Sequence, residues 1–233
     1  MPYGMPNSSF SIGSINRIPF TAFHFLTILV QNPPGGWYNL GVEMIRDSGV
    51  ISGFRYENPI PELPWLTHCG EVFCDTSHAL EPHSHRGYEF HYMVHGTAYW
   101  NIGDFSQTFT EGTLLWSIPR LMHSSTPQSH SEYHHLWIGL SLEELGDEGT
   151  ELDRELRAIA REGMFILKNG RAIEPILRAL ILQISSPRKR ARETCVSYIR
   201  TFVALMRQLV AEREDHRGAE ELRPYCYPVQ KAL

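Results

Sequence analysis

The sequence predicts a mainly β domain followed by helices. Across residues 48–140, short apolar stretches alternate with turn signals, which is typical of an antiparallel sandwich or barrel. Beyond this region the apolar residues recur at about 3.6 positions, the period of an amphipathic helix. A cluster of His and Glu in the β region indicates that this part of the chain carries the chemistry.

Individual strands can be placed within the β region. Residues 99–102 and 105–109 flank Gly103 and Asp104, a two-residue hairpin turn in which Gly supplies the positive φ that the turn requires. Residues 113–118 predict another strand after Gly112, and residues 135–140 predict one more.

Three helices are predicted after the β region. Thr150 caps the first, residues 151–162, and Gly163 ends it. The second spans residues 172–184, and the third starts at Ser186 and Pro187 and continues to about residue 213. The third helix has a continuous apolar stripe that exceeds what one small barrel can cover, although packing within the chain explains part of it. We therefore expect a homodimer through the residues of this stripe: Ile199, Phe202, Val203, Met206, Leu209 and Val210.

Composition excludes several classes of protein. The 233 residues are 42% hydrophobic and carry a net charge of −5, which argues against a disordered chain and against a surface that binds nucleic-acid phosphates. The four cysteines have neither disulfide nor zinc-knuckle spacing, which favours the reducing cytoplasm. An apolar run at residues 20–30 is too short to span a bilayer.

The segment around residue 85 has the pattern of a metal site. His83, His85 and Glu89 occupy alternate positions, so they share one face wherever the backbone is extended. His123, at the far end of a later strand, offers a fourth ligand. Imidazole nitrogen and carboxylate oxygen suit Zn, Fe, Ni or Mn. The alternative is that these side chains line a pocket through hydrogen bonds, without metal.

A ligand pocket is predicted next to these residues. His91 and Met93 have the same strand parity as Glu89, and Trp100 and Trp116 offer aromatic walls. We expect these four residues to contact a small polar molecule.

The spacing of the four candidate ligands resembles the two cupin motifs. The first reads HxHxxxE followed by Gly96, and the second runs from Gly112 through Pro119 to His123. This resemblance implies a double-stranded β-barrel that holds one divalent metal at these residues. Ser77 stands where the family has a leading glycine.

The wider context is similar to the sensor and dimerisation region of AraC-type transcription regulators, over about residues 64–233. The residue pattern predicts an N-terminal extension (1–47) before the β region (48–140). The resemblance implies that this region is a ligand-binding barrel, followed by a helical dimerisation segment (141–215) and a linker (216–233) towards a helix-turn-helix domain. That DNA-binding domain is expected to be absent from this chain, because too few residues follow the third helix.

Two other functions compete with a sensor that binds an effector such as a sugar. A metal-dependent cupin enzyme, such as a dioxygenase or sugar isomerase, would use the same ligands and keep positions open for substrate. The helical third of the chain argues against this enzyme, and we expect a protein without catalytic residues. A metal-free sugar-binding module is the third alternative.

Overall fold

The computed structural model describes residues 41–60, 63–126, 131–144, 150–184 and 191–216. The predicted linker (216–233) lies outside these ranges except for its first residue, and so does most of the predicted N-terminal extension. Within these ranges, ten strands precede and interrupt three α-helices. The strands are β1 (Gly41–Met44), β2 (Val50–Glu57), β3 (Leu66–Cys74), β4 (Tyr88–His95), β5 (Thr97–Ile102), β6 (Phe105–Thr110), β7 (Leu114–Ser117), β8 (His123–Ser125), β9 (Tyr133–Leu140) and β10 (Phe165–Leu167).

The strands form two antiparallel sheets. The larger has the order β1-β2-β3-β9-β4-β7-β10, and the smaller has the order β6-β5-β8. A core cluster that includes Met93 and Trp137 from the larger sheet and Trp100 and Phe109 from the smaller lies between them. Among the described strands none pairs across the two sheets, so the cupin-type barrel is not closed. The predicted fold class, mainly β with C-terminal helices, is confirmed.

The predicted hairpin forms as expected. β5 and β6 pair in register from Thr97 opposite Thr110 to Ile102 opposite Phe105. Gly103 has a φ of 55°, which only a residue without a Cβ adopts at low cost. β1 begins within the predicted N-terminal extension and pairs with β2, so the β domain starts earlier than the pattern indicated.

The helices are α1 (Glu151–Arg161), α2 (Glu174–Ile184) and α3 (Ala191–His216). Thr150 caps α1 in a capping box with Asp153, and Gly163 follows the helix with a φ of 70°. The predicted start of the third helix at Ser186 lies outside the described residues. No described helix combines the length and apolar composition that a membrane crossing needs.

The apolar stripe of α3 packs within the chain, against the larger sheet and against α1 and α2, which corrects the expectation that the stripe exceeds what one chain can cover. Phe202 meets Phe90 of β4 edge to face, with ring centroids 4.8 Å apart. The other stripe residues belong to the same core, in which Leu209 is partly buried and the rest are buried: Ile199, Val203, Met206, Leu209 and Val210. A single chain therefore covers this stripe, which leaves these residues unavailable to a second copy.

Candidate metal and effector site

The structure brings the four predicted ligands together between the two sheets. One ligand atom from each of His83, His85, Glu89 and His123 lies within 4.8 Å of the others. Glu89 belongs to β4 of the larger sheet, whereas His123 begins β8 of the smaller sheet. His83 precedes β4 and pairs with the start of β8. Its amide donates to the carbonyl of His123 at 3.0 Å, and its carbonyl accepts from the amide of His123 at 2.9 Å. The cluster therefore bridges the two sheets.

Backbone carbonyls orient two of the imidazole rings. Nδ1 of His83 donates to the carbonyl of Glu81 at 2.7 Å, and Nδ1 of His123 donates to the carbonyl of Leu121 at 3.0 Å. A carbonyl can only accept, so the proton of each neutral ring is on Nδ1 and Nε2 carries a free lone pair. Metal-binding histidines are held in this way in many proteins.

The centre of the cluster contains buried polar atoms without hydrogen-bond partners. They include Nε2 of His85, His91 and His123 and Oε2 of Glu89. The Nε2 atom of His123 faces Oε2 at 3.3 Å, and that of His85 faces it at 2.8 Å. For His123 two acceptors face each other, an arrangement that is costly in a buried site unless a cation lies between them. The donor set therefore fits a divalent transition metal.

The protonation states at neutral pH also suit a cation. Burial opposes the charge on Glu89, but the surrounding imidazoles, including the His68 ring that donates to Oε1, hold the pKa of this carboxyl well below its ordinary value. Burial lowers the pKa of His91 to about 4, and burial also holds the pKa of His135 well below its ordinary value. Glu89 is therefore an ionised carboxylate, the form that binds metals, and the adjacent His91 and His135 are neutral.

A cavity of about 500 Å³ adjoins the cluster. His91 and Trp100 line it, as the sequence predicted, together with two residues of β9, His135 and Trp137. Its outer part is lined by residues of β1 and of the turn that follows, including Arg46 and Asp47. An apolar floor with a few convergent polar groups is typical of a small-molecule site.

Two of the four predicted lining residues, Met93 and Trp116, do not line this cavity. Trp116 pairs with Phe90 in the β4 and β7 register, which turns its side chain to the helix-covered face, where it stacks on Tyr88 at 5.2 Å. Met93 has the predicted parity but is fully buried in the core between the sheets and is absent from the cavity lining. Alternation fixes the relative faces within one strand, and only strand pairing relates one strand to the next.

Glycines on the larger sheet make room for two rings that were not predicted as site residues, those of Trp137 and His68. Trp137 pairs with Gly70 of β3, and a Cβ added at Gly70 would lie 2.1 Å from the indole. His68 pairs with Gly139, and a Cβ added there would lie 2.1 Å from its imidazole. The signal that could have identified Trp137 and His68 is a glycine opposite each ring, together with the alternation of residues 135, 137 and 139.

Comparisons with known proteins place the chain in a family. The family model described as AraC-like ligand binding domain matches residues 66–203, more than half of the chain. A search of curated proteins gave no significant match. Solved structures that resemble the fold at low similarity include an oxalate decarboxylase variant from Bacillus subtilis, with 22% identity and a TM-score of 0.37 over 46% of this chain. KdgF from Halomonas sp. has 14% identity and a TM-score of 0.34 over 42% of this chain and 86% of that one.

This chain spans only 30% of the length of that oxalate decarboxylase. The family match extends from β3 to the middle of α3. The protein belongs to the family of AraC-like ligand-binding domains.

Proposed function

We propose that this chain is the effector-sensing and dimerisation module of an AraC-type transcription regulator. The observation that carries the proposal is the cavity of about 500 Å³, with His83, His85 and Glu89 of the four-residue cluster on its wall. The family match supports a ligand-binding role. DNA recognition is assigned to a separate domain, because the described helices α1 to α3 are used to cover the larger sheet.

One divalent metal ion, such as Zn, Fe, Ni or Mn, is part of this proposal. His83, His85, Glu89 and His123 would hold it, and the ion would supply a Lewis-acidic centre for oxygen atoms of the effector. The unpartnered buried atoms at the centre support this assignment. Elemental analysis of untagged protein should find close to one transition metal per chain, and the His123→Ala variant should lose it. Protein without metal in both forms would leave only the pocket-lining role.

The effector is proposed to be a small polar molecule with one flat apolar face, for which a sugar is the model. Trp137 lies across Gly70 on the floor of the cavity, and Trp100 of the smaller sheet also lines it. Indole faces stack on the apolar side of a sugar ring, while His91, His135 and the metal site offer polar contacts.

Thermal shift measurements over a panel of sugars and small acids test this part of the proposal. A ligand of the cavity should raise the Tm of the wild type and have no effect on Trp137→Ala. The matched control is Trp65→Ala, because Trp65 is buried in the helix-side core. A compound that stabilises the wild type and both variants equally would place the ligand elsewhere.

A metal-dependent cupin enzyme is the second candidate, and the same unpartnered metal-site atoms favour it. We propose a sensor, in which the bound molecule is released unchanged. Mass spectrometry of each stabilising ligand after incubation with the metal-loaded protein distinguishes the two functions. Recovery of intact ligand supports the sensor, and a product that the His123→Ala variant does not form would establish the enzyme.

Homodimerisation is proposed to use the face of the helical segment that the chain leaves uncovered. Leu182 of α2 is 72% exposed, the largest exposure among the described large hydrophobic residues that lie on the surface. Leu182→Asp should shift the species seen in sedimentation velocity towards monomer without loss of stability. A dimer that persists in this variant would locate the interface away from α2.

Specific DNA binding is not expected of these 233 residues, because the net charge of −5 repels the phosphate backbone. Gel-shift titration against the upstream region of its own gene at low salt is the test. A saturable, sequence-dependent shift would contradict the proposed division of roles.

A further inference from the structure

The two carboxylate oxygens of Glu89 have different surroundings. Oε1 is 2.9 Å from Nε2 of His68, a buried hydrogen bond. Oε2 has no hydrogen-bond partner among the described residues and faces three imidazole nitrogens, with His85 at 2.8 Å, His91 at 3.2 Å and His123 at 3.3 Å. One oxygen is therefore held by the protein, and the other points into the candidate metal site.

The protons on the His68 ring follow from its neighbours. A carboxylate oxygen can only accept, so Nε2 of His68 carries a proton and donates it to Oε1 of Glu89. In the neutral ring Nδ1 is then an acceptor, and the hydroxyl of Thr67, 3.0 Å away, donates to it. Both ring nitrogens are satisfied by side chains, so His68 offers no lone pair to an ion.

The sheet brings this ring to Glu89 across an intervening strand. Gly139 of β9 pairs with His68 on one side and with Glu89 on the other. The imidazole crosses directly over Gly139, where a Cβ would lie 2.1 Å from Cε1 of the ring. A Cβ at position 139 would clash with the imidazole ring itself and not with the end of a flexible side chain. The contact between His68 and Glu89 therefore requires glycine at position 139.

We propose that His68 is a positioning residue of the metal site, holding Oε1 of Glu89 so that Oε2 alone is presented to the ion. This inference rests on the metal site of the proposed function. A carboxylate held in this way binds through one oxygen and leaves a coordination position free for the effector. Residues that orient a ligand from behind change metal affinity by about 10–100-fold when they are removed.

Three variants test the role of His68. Its removal in His68→Ala should raise the Kd for Zn²⁺ by about 10–100-fold in competition with a chromophoric chelator. His68→Gln keeps an N–H donor and should recover a large part of that loss. Gly139→Ala keeps the imidazole but displaces it, so its Kd should approach that of His68→Ala.

The matched control is His134→Ala. His134 is equally buried, and its ring hydrogen-bonds to Glu71 rather than to Glu89. This variant should bind Zn²⁺ within about twofold of the wild type. A second readout is the visible absorption of bound Co²⁺, which depends on coordination number. Release of Oε1 should let both oxygens bind and weaken the Co²⁺ bands in His68→Ala but not in His134→Ala.

The outcomes separate the inference from the proposed function. Wild-type protein that binds Zn²⁺ no better than His123→Ala overturns both. If the wild type binds and His123→Ala does not, an unchanged Kd in His68→Ala overturns the inference alone. Equal losses in His68→Ala and His68→Gln, with an unchanged Co²⁺ spectrum, would reduce His68 to a packing residue and also overturn it.

Discussion

The two faces of the larger sheet are built from the same strands and have opposite properties. On β4, Phe90 and Tyr92 face the helices and are completely buried, and Phe90 packs edge to face on Phe202. The alternate residues, Glu89 and His91, face the cavity, where both carry buried polar atoms without partners. The helix-covered face is therefore stabilised by apolar packing. The cavity face keeps buried polar atoms without hydrogen bonds, at a cost in stability.

The comparison shows how this fold separates stability from recognition. Burial of apolar side chains under α2 and α3 gives the larger sheet a firm support. That support allows the cavity face to retain an ionised carboxylate, neutral imidazoles and glycines in a place where they would otherwise be unfavourable. Changes on the helix-covered face should act on folding, and changes on the cavity face should act mainly on binding.

The largest effect is expected on the helix-covered face. Met206→Asp places a carboxylate at a fully buried position of α3, so the free energy of unfolding should fall by about 4 kcal/mol or more. Urea unfolding measures this change, and Ile51→Asp is the control on an exposed position outside the helical segment, with an expected change within about 0.5 kcal/mol. A folded monomer from Met206→Asp would restore α3 as the dimer interface and would contradict the expectation that changes on the helix-covered face act on folding.

The second largest effect concerns acid and the cavity face. The pKa of His91 is about 4 in the folded protein and 6.5 when unfolded, so the unfolded state binds more protons between these values. Stability should therefore fall as the pH drops from 6.5 towards 4, by about 3 kcal/mol for this residue. The lowered pKa of His135 adds to the loss in the same direction.

Urea unfolding between pH 7 and pH 4, with a chelator present, measures this dependence. His91→Asn should flatten it, whereas His95→Asn, on the exposed end of β4, should leave it unchanged. An equal slope in all three proteins would show that the buried imidazoles do not control acid stability.

The third effect tests whether Gly70 makes room for the Trp137 indole. A methyl group at Gly70 meets the Trp137 indole, so Gly70→Ala should displace the ring and cost about 1–3 kcal/mol. The same variant should weaken binding of any ligand that stacks on Trp137. Urea unfolding and the thermal shift panel measure the two changes, and unaltered ligand binding would exclude Trp137 as the cavity floor.

The smallest effect is expected from a surface network that connects the sheet to α2. Arg178 contacts Glu174 at 2.9 Å and Glu71 at 3.7 Å, with much of its side chain in solvent. Exposed ion pairs contribute less than about 1 kcal/mol, so Arg178→Ala should change the urea midpoint only slightly. A larger loss would indicate that this network supports the helix-covered face.

Much of the candidate site could be predicted because its residues lie close together in sequence. His83, His85 and Glu89 are separated by only a few positions, and the hairpin around Gly103 restricts where the next strands can lie. His68 and Trp137 were missed because their roles depend on glycines that are distant along the chain, at positions 139 and 70. Such pairings are set by strand register, which local patterns do not contain.

The sequence by itself determined the strand periods, the caps of α1, the hairpin turn and the identity of four candidate ligands, because each depends on neighbouring residues. Only the tertiary structure decided which surface each face meets. Trp116 faces the helices and not the cavity because β7 pairs with β4 in one particular register. The stripe of α3 is covered by the chain's own sheet and helices, because burial depends on where the elements pack in space.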